Sequence, residues 1–132
     1  MSVYARFADF LEESLKLPPV IKMLHKMNWN QEFQFQIGEE MFCLTLTDGK
    51  LNWREGISRQ ADFMDATRVY CEEEVFAKIL QGAQDSVDAQ YVEEALKFLP
   101  SGKYTQIAFF HQLIRWGQQE IWRRKKEELA AG

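Results

Sequence analysis

The sequence predicts an α+β fold in which helices are laid on an antiparallel-rich sheet. Three observations carry that expectation: an alternating apolar–polar meander between Glu32 and Glu55, amphipathic helical stretches on either side of it, and a long aromatic-rich helix from Tyr104 onward.

In the meander, Phe33, Phe35 and Ile37 alternate with Glu32, Gln34 and Gln36. Phe42, Leu44 and Leu46 then alternate with Cys43 and Thr45, and Leu51 and Trp53 with Lys50, Asn52 and Arg54. Period-2 alternation predicts one buried face and one wet face. Gly38-Glu39-Glu40 and Thr47-Asp48-Gly49 join the runs, the second an Asp-Gly suited to the positive φ of a tight hairpin.

Ahead of the meander, Val3, Phe7, Phe10, Leu11 and Leu15 recur at helical spacing and predict a helix over 3–16. Leu17-Pro18-Pro19 stops it, because proline lacks the amide donor and restricts its predecessor. Pro19 then starts a short helix striped by Val20, Ile21, Leu24 and Met27. After the meander comes a polar connection over 56–64, then a strand over 65–71 whose alternation does not settle which side faces inward. Glu72-Glu73-Glu74 opens a helix with acids that suit its dipole, and Gly82 closes it. A shorter helix follows over 85–94. The stretch 94–99 reads from its residues either as more of that helix or as a strand. Pro100-Ser101-Gly102 breaks the chain before the last helix, which is expected over about 104–129.

Composition bounds the function. The 132 residues suit one domain: N-terminal helices over 1–28, sheet and crossing helices over 29–102, and the long helix over 103–132. A net charge of −4 argues against nucleic-acid binding, which needs clustered Lys and Arg. No apolar run reaches the roughly 20 residues of a membrane span. The start of the chain lacks the pattern of a secretion signal, and Cys43 and Cys71 have no metal-type spacing. A cytoplasmic location with reduced thiols is the expectation.

The order of elements, the meander ending Leu46-Thr47-Asp48-Gly49-Lys50-Leu51, the helix Glu74-Val75-Phe76-Ala77-Lys78-Ile79-Leu80-Gln81-Gly82 and the segment Ala95-Leu96-Lys97-Phe98 resemble the sterol carrier protein type 2 domain family. The match runs over about 17–116. It implies a five-stranded, largely antiparallel sheet covered by helices, with 94–99 as the fifth strand, enclosing an apolar tunnel for acyl chains, sterols or similar lipids. The sequence departs from the family at the last strand. Glu94 stands where the family has the first glycine, and Leu99-Pro100-Ser101-Gly102 replaces the usual ending. The tunnel mouth is altered with it.

On that resemblance the lining falls to Phe42, Leu44, Trp53, Leu96 and Phe98 on the sheet, with Phe76, Ile79, Leu80, Phe109, Phe110, Leu113 and Ile114 above it. The expected function is non-covalent binding, and transfer, of a hydrophobic small molecule, by a monomer or homodimer that is not an enzyme and needs no cofactor. Interiors are normally dense, so the same side chains also read as a filled core. The alternative is then an interaction or dimerisation module without a ligand.

Residues with chemistry are few. His25 and His111 read as polar helical residues, with His111 as a contact for a lipid headgroup the weaker alternative. Asp62, Asp65 and the Glu72–Glu74 run read as a solvated loop and a helix N-terminus. An enzyme would need His111 brought close to Cys71 or Asp65. Trp122 beside Arg123-Arg124-Lys125-Lys126 reads as dipole complementation at a helix end, or else as a transient contact with an anionic membrane surface.

Overall fold

The computed structural model describes residues 1–58 and 65–131. Asp62 and most of the 56–64 connection lie outside the described residues. The elements run α1 (Val3–Ser14), α2 (Pro18–His25), β1 (Gln31–Ile37), β2 (Glu40–Thr47), β3 (Lys50–Glu55), β4 (Thr67–Cys71), α3 (Glu73–Leu80), α4 (Ser86–Tyr91), β5 (Leu96–Leu99) and α5 (Tyr104–Ala131). The fold is α+β. Its sheet has five strands in the order β3-β2-β1-β4-β5.

Local chemistry explains most boundaries. Ser2 caps α1 by accepting from the Ala5 amide, and the Glu40 carboxylate accepts from the Val3 and Tyr4 amides at 2.8 and 3.2 Å. An acid at that end meets both the orphan amides and the dipole. Asp48 and Gly49 both have positive φ, 51° and 75°, the signature of a two-residue hairpin turn that matches strand twist. Gly82, at φ 76°, ends α3 with paired bonds from the Gly82 amide to Ile79 O and from the Ala83 amide to Lys78 O. Asp85 caps α4 through the Asp88 amide.

The meander pairs β1 with β2 and β2 with β3 in antiparallel register, setting Phe35 beside Phe42 and Leu44 beside Trp53. Beta4 then lies parallel to β1, and β5 antiparallel to β4, so the sheet is mixed. Register settles the facing of β4. Thr67, Val69 and Cys71 join Phe33, Phe35 and Ile37 on the inward face, in rows that continue to Phe98 and Leu96.

The expectation of a wet outer face needs correction. Glu32 and Cys43 are buried there, and Gln34 is only 4% exposed. The chain just after β3 folds back over them. The Gln34 amide donates to Phe42 O and Gly56 O at 3.2 Å and its oxygen accepts from the Ser58 amide. Cys43 Sγ donates to Gly56 O, and Arg54 bridges Glu32 Oε1 and Ile57 O. Alternation identified the pleat correctly, but a polar face is covered wherever its hydrogen bonds are supplied.

The last strand also differs in extent. Glu94 breaks the run with φ 53°, and β5 starts only at Leu96. Glu94 thus takes the left-handed backbone that glycine favours, although it carries a Cβ.

Candidate functional site

The residues expected to line a tunnel lie together above the sheet. All are buried except Trp53, which is half-buried against the same core. Phe35 stacks on Phe42 at 5.2 Å, and Phe98 meets Phe110 edge-on at 5.4 Å. Four side chains outside the expected set close the space between them. Phe7 on α1 touches Phe35, Phe42 and Phe76 at 5.0, 5.4 and 5.6 Å, and Phe35 also reaches Phe110 at 5.8 Å. Phe33 and Trp29 hold Phe109 in the same way. These separations are those of packed aromatic pairs.

A polar group without a partner faces this interior. Thr67, fully buried beside Phe33, has a hydroxyl with no hydrogen-bond partner among the described residues.

Open apolar space lies next to the core, between α1, α3 and α5. A groove of about 300 Å³ has a floor of Phe10, Leu17, Ala77, Leu80 and Ile121. Leu80 is shared with the expected lining. Gly117 makes the floor: a Cβ there would fall 2.2 Å from Phe10 Cζ and 2.7 Å from Ser14 Oγ, so only glycine lets α5 approach α1 this closely. Gln118, the next residue, donates to Ile79 O at 2.9 Å and Gln84 O at 2.7 Å and ties α5 to the end of α3.

Charged groups form the rim. Arg124 pairs with Glu13 and Glu120, both at 3.1 Å, and Arg123 also pairs with Glu120. A hydrogen bond from Arg123 holds the Glu120 carboxyl down at about 2, and hydrogen bonds from Lys16 and Arg124 lower Glu13. Arg6 and Asp9 complete the rim.

No family model matches the sequence, and no match is found among curated proteins.

The groups with potential chemistry are dispersed. His111 Nδ1 lies 2.8 Å from Ser86 Oγ and Nε2 lies 2.5 Å from Gln90 Oε1. The ring therefore donates to Gln90 and accepts from the Ser86 hydroxyl. Burial holds the imidazole down at about 4, and Ser86 is only 2% exposed. This pair fastens α4 to α5, and it involves neither Cys71 nor Asp65. Burial pushes the Cys43 thiol up to about 11 and the Cys71 thiol up to about 12, which removes thiolate character at neutral pH. Asp65 contributes its main-chain oxygen, which accepts from Gln31 and from Lys103 Nζ. Among the described residues no three His, Cys, Asp or Glu side chains converge as metal ligands. No described helix is long and apolar enough to cross a membrane.

Sequence reasoning missed Phe7 as a ring that fills the interior, and it missed the groove. A signal for the groove was present: a glycine within a long helical run costs about 1 kcal/mol against alanine, so Gly117 marks a close approach.

Proposed function

We propose that the protein binds an apolar small molecule non-covalently, as a cytoplasmic carrier without an acid, base or nucleophile, and that its open seat is the groove between α1, α3 and α5. The single observation carrying this reading is the apolar floor of Phe10, Leu17, Leu80 and Ile121 in a cleft of about 300 Å³. That volume lies at the lower end of the ~300–1,000 Å³ typical of small-molecule sites. At about 0.8 kcal/mol per sheltered methylene, six to eight methylenes gain roughly 5–6 kcal/mol before association costs. The implied affinity is no tighter than about a hundred micromolar. The five-stranded sheet under helices supports the resemblance to the sterol carrier protein type 2 domain. The tunnel of that resemblance requires the Phe7 and Phe110 rings to swing away from Phe35, and the unpartnered Thr67 hydroxyl would meet a ligand's polar atom there.

The test is titration of a fluorescent fatty acid against the protein and its Ile121→Arg variant. Ile121 is half-buried at the groove, so the variant keeps its fold. Saturable uptake lost in Ile121→Arg is the expected result. Equal uptake by both proteins would remove the groove as the seat.

A second reading has an observation of its own. The closed aromatic packing around Phe7, Phe35 and Phe42 favours a filled-core interaction module. Sedimentation separates the two: a tight homodimer that ignores fatty acids would favour the module.

A further inference from the structure

The sequence offered one basic run for contact with an anionic surface, Arg123–Lys126, and the fold neutralises half of it. Arg123 pairs with Glu120 and Glu127, and Arg124 with Glu13 and Glu120. Cations without such partners gather elsewhere. From position 14 to position 31 the chain carries no Asp or Glu, although it holds 20 in all. Alpha2 lies within this stretch.

Alpha2 buries Val20 and Leu24 against the core and turns Pro18, Pro19, Ile21, Lys22, His25 and Lys26 outward. Lys22 and Lys26 stand one turn apart, and neither has an ion pair among the described residues. Between them and α5 runs an open groove of about 610 Å³, floored by Met23 and Trp116, and no acidic side chain lines it. Cations at the end of a helix are accounted for by its dipole, but the apolar floor beneath them is not. Exposed aliphatic and proline side chains beside cations without ion pairs, with an indole on the groove floor, make a surface suited to the headgroup region of an anionic bilayer.

We propose that α2, with Trp116, is a docking surface for an anionic membrane leaflet. Charge complementarity selects this occupant. The chain as a whole is at −4, so an anionic surface is repelled by most of the molecule and attracted at this face. The face is separate from the α1–α3–α5 groove, so the two sites stand or fall independently.

The test is flotation of the full chain with vesicles of phosphatidylcholine alone and of an equal mixture with phosphatidylglycerol. Binding to the anionic vesicles only, weakening as salt rises, is expected. The variant Lys22→Gln/Lys26→Gln, with exposed positions that leave the fold intact by circular dichroism, should bind roughly thirtyfold more weakly, from the contribution of about 1 kcal/mol per lysine at such a surface. Lys125→Gln/Lys126→Gln should bind as the parent does. Equal binding to neutral vesicles, no binding to anionic ones, or a loss confined to the Lys125/Lys126 variant would each overturn the proposal. So would quenching of Trp116 by a soluble single-chain anion without any vesicle binding, which would make the groove a small-ligand site.

Discussion

Gly117 on α5 lies so close to Phe10 on α1 that a Cβ on the glycine would stand 2.2 Å from Phe10 Cζ. This contact sets the spacing of the two helices, and with it the floor of the groove proposed as the ligand seat. Gly117→Ala should therefore destabilise the fold by about 1–3 kcal/mol, the usual cost of overpacking, despite the better helix propensity of alanine. Adding Phe10→Leu should return part of the loss. Urea denaturation of the three variants measures this, and a stabilised Gly117→Ala would show that the helices separate freely.

His111 predicts a pH dependence. Its imidazole is held near 4 in the fold by burial, against an unfolded value near 6.5. Between those values the unfolded chain binds the extra proton, so stability falls as pH drops through that window. The loss is about 1–2 kcal/mol once the partial exposure of the ring is discounted. His111→Gln should flatten stability between those pH values. An imidazole that titrates near its unperturbed value by NMR would contradict the buried Ser86–His111–Gln90 arrangement.

Thr67 carries a buried hydroxyl without a partner among the described residues. Replacing it with the isosteric valine removes a desolvated polar group, and Thr67→Val should raise stability by about 1 kcal/mol. A loss of similar size would show that the hydroxyl is satisfied in solution.

Glu94 holds φ 53°, where an L-residue is strained and glycine is not. Glu94→Gly should raise stability by about 0.5–1 kcal/mol after the greater chain entropy of glycine is counted. A lower melting temperature in the variant would locate a stabilising role in the Glu94 side chain.

The meander was legible because period-2 alternation and an Asp-Gly turn are local signals, and both are present between Phe33 and Trp53. The end of α3 at Gly82 was legible for the same reason, whereas Asp85, read as the first residue of a helix, is the cap of α4. The parallel pairing of β4 with β1 was not, since it joins Phe35 to Val69 across a connection that carries no pattern for it. Nor was the cover over Gln34 and Cys43, because it depends on main-chain oxygens and amides at Gly56 and Ser58, which look alike in every sequence. The expected lining residues lie in one interior. Whether they leave space depends on ring positions at Phe7 and Phe110, and periodicity does not encode those.

The most direct measurement is native mass spectrometry of gently purified protein, with organic extraction of anything released. A co-purifying apolar molecule, or stoichiometric uptake of an added fatty acid that Ile121→Arg abolishes, is the expected result. An empty protein that also ignores added fatty acids would contradict it, and would leave the filled-core interaction module as the reading of this fold.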